Sequence, residues 1–217
     1  MSGRTWNPLY AGLAVACLSV GCLRPAWGEI CAPSSISVDH ALADSSVLAW
    51  GCRGFGQVFL ATDTLIQSIS IWRPPQPALD GGPRFLFITG TDSLGRPDID
   101  RLLLDAGPLV RQVGDGVSPV EYRWVFDPPF ALPGRGKYFF DVLAAYYSSW
   151  LIPAVTTDPY PNGEAWSTTA AWDCSRPLWP YGDDPPTLDL VFEVRFCETG
   201  STVAVPTSWG KLKVIYR

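Results

Sequence analysis

The chain has 217 residues, 47% hydrophobic and 13% aromatic with ten Trp, enough apolar material to bury one core and too much for a disordered chain. Twenty-one Pro and twenty Gly occur without a period, which excludes a collagen-like chain and argues for short strands and tight turns over long helices. The formal net charge is −5 with no Lys/Arg cluster in the body of the chain, so nucleic acid lacks the electrostatic footprint expected of a partner.

In chain order, residues 1–28 read as a signal peptide: Arg4 supplies the positive start, residues 9–23 form an apolar stretch, and Ala26-Trp27-Gly28 offers small residues for cleavage. The apolar run falls short of the ~20 residues needed to cross a bilayer and is broken at Arg24-Pro25, so no membrane span is expected in the mature chain. Ser19-Val20-Gly21-Cys22 offers lipoprotein processing as an alternative. Either route predicts a secreted or cell-surface protein.

Cleavage at Gly28 would remove Cys17 and Cys22 and leave an even set, Cys31, Cys52, Cys174 and Cys197, for which two disulfides are expected. If the opening and closing strands are antiparallel neighbours, Cys52 meets Cys197 and Cys31 is left for Cys174. Local pairing of Cys31 with Cys52 and Cys174 with Cys197 is the competing arrangement. Zinc is disfavoured because no two Cys have metal-ligand spacing and His40 is the only His.

Strands are predicted at residues 57–62, 65–72, 84–89, 122–126 and 137–144, and most clearly at 188–196. There Leu188, Leu190, Phe192, Val194 and Phe196 face one way, and Asp189, Glu193 and Arg195 the other. Turn signals separate them, among them residues 80–83, 93–97, Asp127-Pro128-Pro129, 133–136 and Pro161-Asn162-Gly163. Residues 144–184 read as a long aromatic loop region. With no amphipathic helix to cover the strands, their apolar faces must meet one another, so residues 29–197 are predicted to form an all-β, jelly-roll-like sandwich of two antiparallel sheets. A polar linker, 198–208, then leads to a tail, 209–217. In the tail Trp209, Leu212 and Tyr216 share a face if helical, while Leu212, Val214 and Tyr216 alternate if extended. The tail is expected to dock to an export or anchoring partner, or else to supply a last edge strand.

The order of these motifs over residues 51–196 resembles bacterial extracellular choice-of-anchor-type domains, related in look to carbohydrate-binding-module jelly rolls. The matching segments are residues 57–62, 66–72, 85–89, 122–126, 130–134, 137–143, 158–166 and 189–194. The resemblance implies a surface or secreted module for adhesion, display or glycan contact, and it names no ligand. The four Cys and the short tail depart from it.

Catalysis needs a proton carrier or an activated nucleophile, and the lone His40 lies in a Ser/Asp-rich stretch that reads as exposed loop. No pair of acids is singled out for glycoside cleavage, so a small glycan-cleaving enzyme ranks below a non-catalytic module. Sugar rings stack on aromatic faces while polar side chains take their hydroxyls, and Tyr160, Asn162, Trp166 and Trp172 fit that mixture. Against it, bulky aromatics also cap sandwich cores, the favoured reading for Trp166. Asp98-Ile99-Asp100 could give oxygens to a structural calcium ion, though solvated turn acids explain the pattern more simply, and no other cofactor is expected. The predicted function is therefore an exported binding module for a glycan or another surface ligand, with a purely structural surface domain as the alternative.

Overall fold

In the computed structural model, residues 32–74, 82–114, 119–144, 149–170, 177–180 and 188–198 are described, and all of them belong to one compact unit, Cys31–Arg217. The predicted export segment, the tail, Cys31, Cys174, Trp172 and all of the linker beyond Glu198 lie outside the described residues.

Strands dominate. In chain order they are β1 Ala32–Val38, β2 Ser45–Trp50, β3 Arg53–Ala61, β4 Leu65–Arg73, β5 Pro83–Thr91, β6 Pro97–Leu104 and β7 Val110–Val113. They continue with β8 Val120–Ala131, β9 Gly136–Ala144, β10 Ser149–Val155, β11 Ala165–Ala170, β12 Pro177–Pro180, β13 Asp189–Leu190 and β14 Phe192–Glu198. Among the described residues a single 3-10 turn, His40–Leu42, follows β1 and is capped by Asp39, whose side chain accepts from the Ala41 N–H. The strands form three antiparallel sheets, ordered β1-β14-β4-β8-β7, β13-β10-β2 and β12-β11-β3-β9-β5-β6. The all-β, sandwich-like architecture agrees with the alternation of the sequence.

The five- and six-stranded sheets pack through alternate residues. Tyr122, Trp124 and Phe126 of β8 and Phe192, Val194 and Phe196 of β14 are buried on one side, and Phe55, Phe59, Tyr138, Phe140 and Val142 on the other. Ring contacts bridge the layers: Phe59 with Phe196 at 6.4 Å and Phe140 with Phe192 at 5.7 Å between centroids. The three-stranded sheet packs on both, β10 against β4 and β2 against β3, and places Trp150 6.2 Å from Tyr122.

The central strands β3 and β9 do not alternate in burial, because both of their faces are covered. β12 and β6, at the two edges of the six-stranded sheet, approach one another, so this sheet curls over the face it turns away from the sandwich. That face encloses Phe87, Leu143, Asp141 and Thr168, each fully buried, and a small cluster of Val58, Phe139 and Trp166.

Several local expectations are corrected. The supposed aromatic loop region holds β10, β11 and β12. Asp127-Pro128-Pro129 lies inside β8, with a cis Asp127–Pro128 bond and a register shift against β4, and is not a strand end. Glu198, taken as the start of the linker, closes β14. The strand at 188–196 is interrupted at Val191, whose N–H turns to the Pro153 carbonyl at 2.9 Å. Asp189, assigned to the solvent face, is buried against Gln57 and the Tyr160 backbone.

Cys52 and Cys197 are both disulfide-bonded, and their places in the fold do not allow a bond to each other. Phe196, beside Cys197, meets Phe59, whereas Cys52 precedes the far end of β3, roughly 20 Å away at ~3.3 Å per residue and beyond the ~7 Å that a disulfide spans between Cα atoms.

Candidate functional site

The turn between β5 and β6 is built by one carboxylate. Asp92 Oδ1 accepts from the N–H groups of Leu94 and Arg96, both at 2.9 Å, and Oδ2 accepts from Arg96 Nε at 2.8 Å. These bonds, the Arg96 backbone N–H first, hold the Asp92 carboxyl below its ordinary pKa. The loop from β10 to β11 is pinned to β3: Val58 N–H donates to Glu164 O at 2.9 Å, and Gly163 N–H closes the Pro161-Asn162 turn onto Tyr160 O at 3.2 Å. Gly163 lies so close to β3 that a Cβ there would collide with the Val58 carbonyl, so no other residue fits without moving the loop.

Between this turn and this loop lies a cleft of about 280 Å³. Val58 and Trp166 lie at its base, Leu94, Gly95 and Arg96 come from the turn, Lys137 from the start of β9, and Asp158, Pro161, Gly163 and Glu164 from the loop. Two bases and two acids thus share one small opening. Arg96 is engaged by Asp92, whereas Lys137, Asp158 and Glu164 make no ion pair among the described residues. Such an arrangement can donate and accept hydrogen bonds at once, as a polyhydroxylated ligand requires.

Of the four residues predicted to contact ligand, Trp166 lies at this cleft and Asn162 lies exposed in the adjoining turn. Trp166 is 4% exposed and packs on Val58 and Phe139, so its indole forms the base of the cleft and offers no open stacking face. Tyr160 points into the core: its ring meets Phe192 edge-on at 5.4 Å and its Oη accepts from Leu60 N–H at 2.9 Å. Burial raises the phenol above its ordinary pKa. Trp172 lies outside the described residues. Asp98 and Asp100 sit on β6, and no group of three or more His, Cys, Asp or Glu able to hold a metal ion occurs among the described residues.

Beneath the loop runs a buried polar network that sequence reasoning missed. Gln57 Nε2 donates to Asp189 Oδ1 at 2.7 Å, Tyr160 N–H donates to Asp189 Oδ2 at 2.9 Å, and Leu190 N–H donates to Gln57 Oε1 at 2.9 Å. Burial lifts Asp189 to about 6 against the pull of its two donors, and the nearby charges of Asp158 and Glu164 push the same way. Arg96, Lys137, Asp158 and Glu164 were not singled out either. Their only sequence signal is position: an Asp92–Arg96 turn, a Lys at a strand start, and acids flanking the Pro161-Asn162-Gly163 turn.

The sequence matches no protein-family model and no curated protein.

Proposed function

We propose that the chain is an exported, non-catalytic sandwich module that holds a polar, hydroxyl-rich ligand such as a glycan in the cleft above Trp166. The observation that carries this reading is the meeting of Lys137, Asp158 and Glu164 around one opening with an aromatic base. The disulfide-bonded state of Cys52 and Cys197 supports folding in an oxidising compartment, in keeping with the signal-peptide reading of residues 1–28. The motif order that resembles choice-of-anchor and carbohydrate-binding modules supports the same class.

The rival, a surface domain with a purely structural role, draws on the burial of Tyr160 and Trp166. A glycan array probed with the mature protein separates the two. Binding to a defined set of glycans, lost in Glu164→Gln and Lys137→Gln while both variants melt like the parent, supports the module. No binding to any glycan, or binding that both variants retain, overturns the assignment of this cleft.

A further inference from the structure

Across the Trp166 cleft the charges are sorted by strand. In the order β11-β3-β9-β5-β6, Glu164 stands just before β11 with its carbonyl bonded to Val58 of β3, whereas Lys137 belongs to β9 on the other side of β3, and the Arg96 turn lies beyond it. Two strand spacings put the backbones that carry Glu164 and Lys137 roughly 10 Å apart. Acids therefore line one wall of the cleft and bases the other, and no ion pair closes the gap among the described residues.

The two walls do not balance. On the basic side Arg96 is taken up by Asp92 at 2.8 Å. A Cβ on Gly95 would lie 3.7 Å from Lys137 Cδ and Nζ, so the lysine runs along the turn. Among the described lining this leaves one base without an acid, Lys137, facing two exposed acids, Asp158 and Glu164.

The surplus is felt beneath the loop. Burial is what chiefly lifts the Asp189 carboxyl, and the charges of Asp158 and Glu164 add to it, so their negative field persists in spite of Lys137. Asp158 also holds left-handed backbone, φ 49°, where Asp and Asn are among the few side chains at home, so the position suits a short carboxylate.

A neutral sugar would leave this surplus uncompensated, and a uronic acid would add to it. An ammonium supplies the missing charge and three donors for the two carboxylates, while its sugar hydroxyls remain for Lys137. Resting on the reading of this cleft as a glycan site, we propose that its ligand is an amino sugar with a free amine, the ammonium held between Asp158 and Glu164 and a hydroxyl oxygen by Lys137.

The test is calorimetric titration of the full mature chain, below the pKa of the sugar amine, with oligomers of glucosamine and of galactosamine, each against its N-acetylated counterpart. At least one free-amine oligomer should bind about tenfold more tightly than its counterpart, the worth of one charge-assisted hydrogen bond. Glu164→Gln and Asp158→Asn, which keep shape and backbone preference, should each remove most of that preference. Asp105→Asn, the same change of charge at an exposed residue beyond the far end of β6, should leave it intact. Equal binding of free and acetylated oligomers, weakened alike by Glu164→Gln, would overturn the amine assignment and leave the glycan reading of the cleft standing. Binding of neither free-amine oligomer, or a preference that Asp105→Asn removes as well, would also overturn it.

Discussion

The Thr168 hydroxyl donates to Asp141 Oδ2 at 2.7 Å, joining β11 to β9 across the strand that separates them. That strand, β3, permits the bond by carrying glycine: a Cβ on Gly54 would lie 2.7 Å from both Thr168 Oγ1 and Asp141 Oδ1. Asp141 is fully buried, and burial lifts its carboxyl to about 7, with the Thr168 and Val142 donors opposing the rise.

This makes stability fall as pH rises. Below about pH 4 folded and unfolded chains both hold the Asp141 proton, whereas between about 4 and 7 the unfolded chain releases it and the folded protein keeps it. The loss is complete above about pH 7, when the folded protein holds a buried carboxylate, and Asp189, lifted to about 6, adds in the same direction over a narrower range. Urea unfolding from pH 4.5 to 8 should show the decline, and Asp141→Asn should remove most of it. A parent profile that is flat over that range would contradict the assignment.

Gly54→Ala should destabilise by about 1–3 kcal/mol, the usual cost of forcing extra volume into a packed core. The new methyl meets the Leu143 side chain as well as Asp141 and Thr168. Thermal melts of parent and variant measure it, and unchanged melting would show that β3 has room to move away.

Replacing Gln57 by Ala should cost more than a typical surface change, because it strips a donor from Asp189 and an acceptor from Leu190 in one step. Each buried group left without a partner costs about 1–3 kcal/mol. Tyr160→Phe, which removes only the acceptor for Leu60 N–H, should cost about 1 kcal/mol. If denaturant midpoints ranked the two in the reverse order, the network would not be the support of the β10–β11 loop.

Trp166→Ala should lower stability by about 3–5 kcal/mol, since the indole fills the space between Val58 and Phe139. Glu164→Gln, exposed at the same cleft, should leave the melting temperature in place. Comparable melting of the two variants would show that Trp166 is not held in the sheet.

Reduction of the disulfides should cost about 2–5 kcal/mol. Cys52 and Cys197 should appear in separate cross-linked peptides in a non-reducing digest. One peptide pair joining Cys52 directly to Cys197 would refute the placement of these residues far apart on the sandwich.

The sequence displayed the fold class through alternation wherever one strand face is buried and the other is wet, as with Tyr122, Trp124 and Phe126 against Glu121 and Arg123. It hid β10 because Pro153 interrupts a run whose inward residues, Trp150, Ile152 and Ala154, otherwise keep the period. Asp189 was misplaced for a different reason: Leu190 and Phe192 keep the inward side that alternation gives them, but the opposite face at Asp189 is covered by Gln57 and the Tyr160 backbone, and alternation alone does not tell a covered face from a wet one. The cleft was half legible. Trp166 and Asn162 could be noticed because aromatics and turn amides suggest sugar contact, but Arg96 and Lys137 reach the same opening from β5–β6 and β9, a convergence that only the sheet order creates.

The interruption at Val191 also links the sheets mechanically. β13 pairs with β10 in the short sheet, and β14, directly after it, lies between β1 and β4 in the five-stranded sheet. One continuous segment thus stitches two sheets together with a single step between them, Val191, whose N–H still bonds the Pro153 carbonyl of β10, and prying β10 loose would pull on β14. Amide protons of Leu190, Val191 and Phe192 should therefore exchange in a single concerted opening, the rate of which reports on both sheets at once.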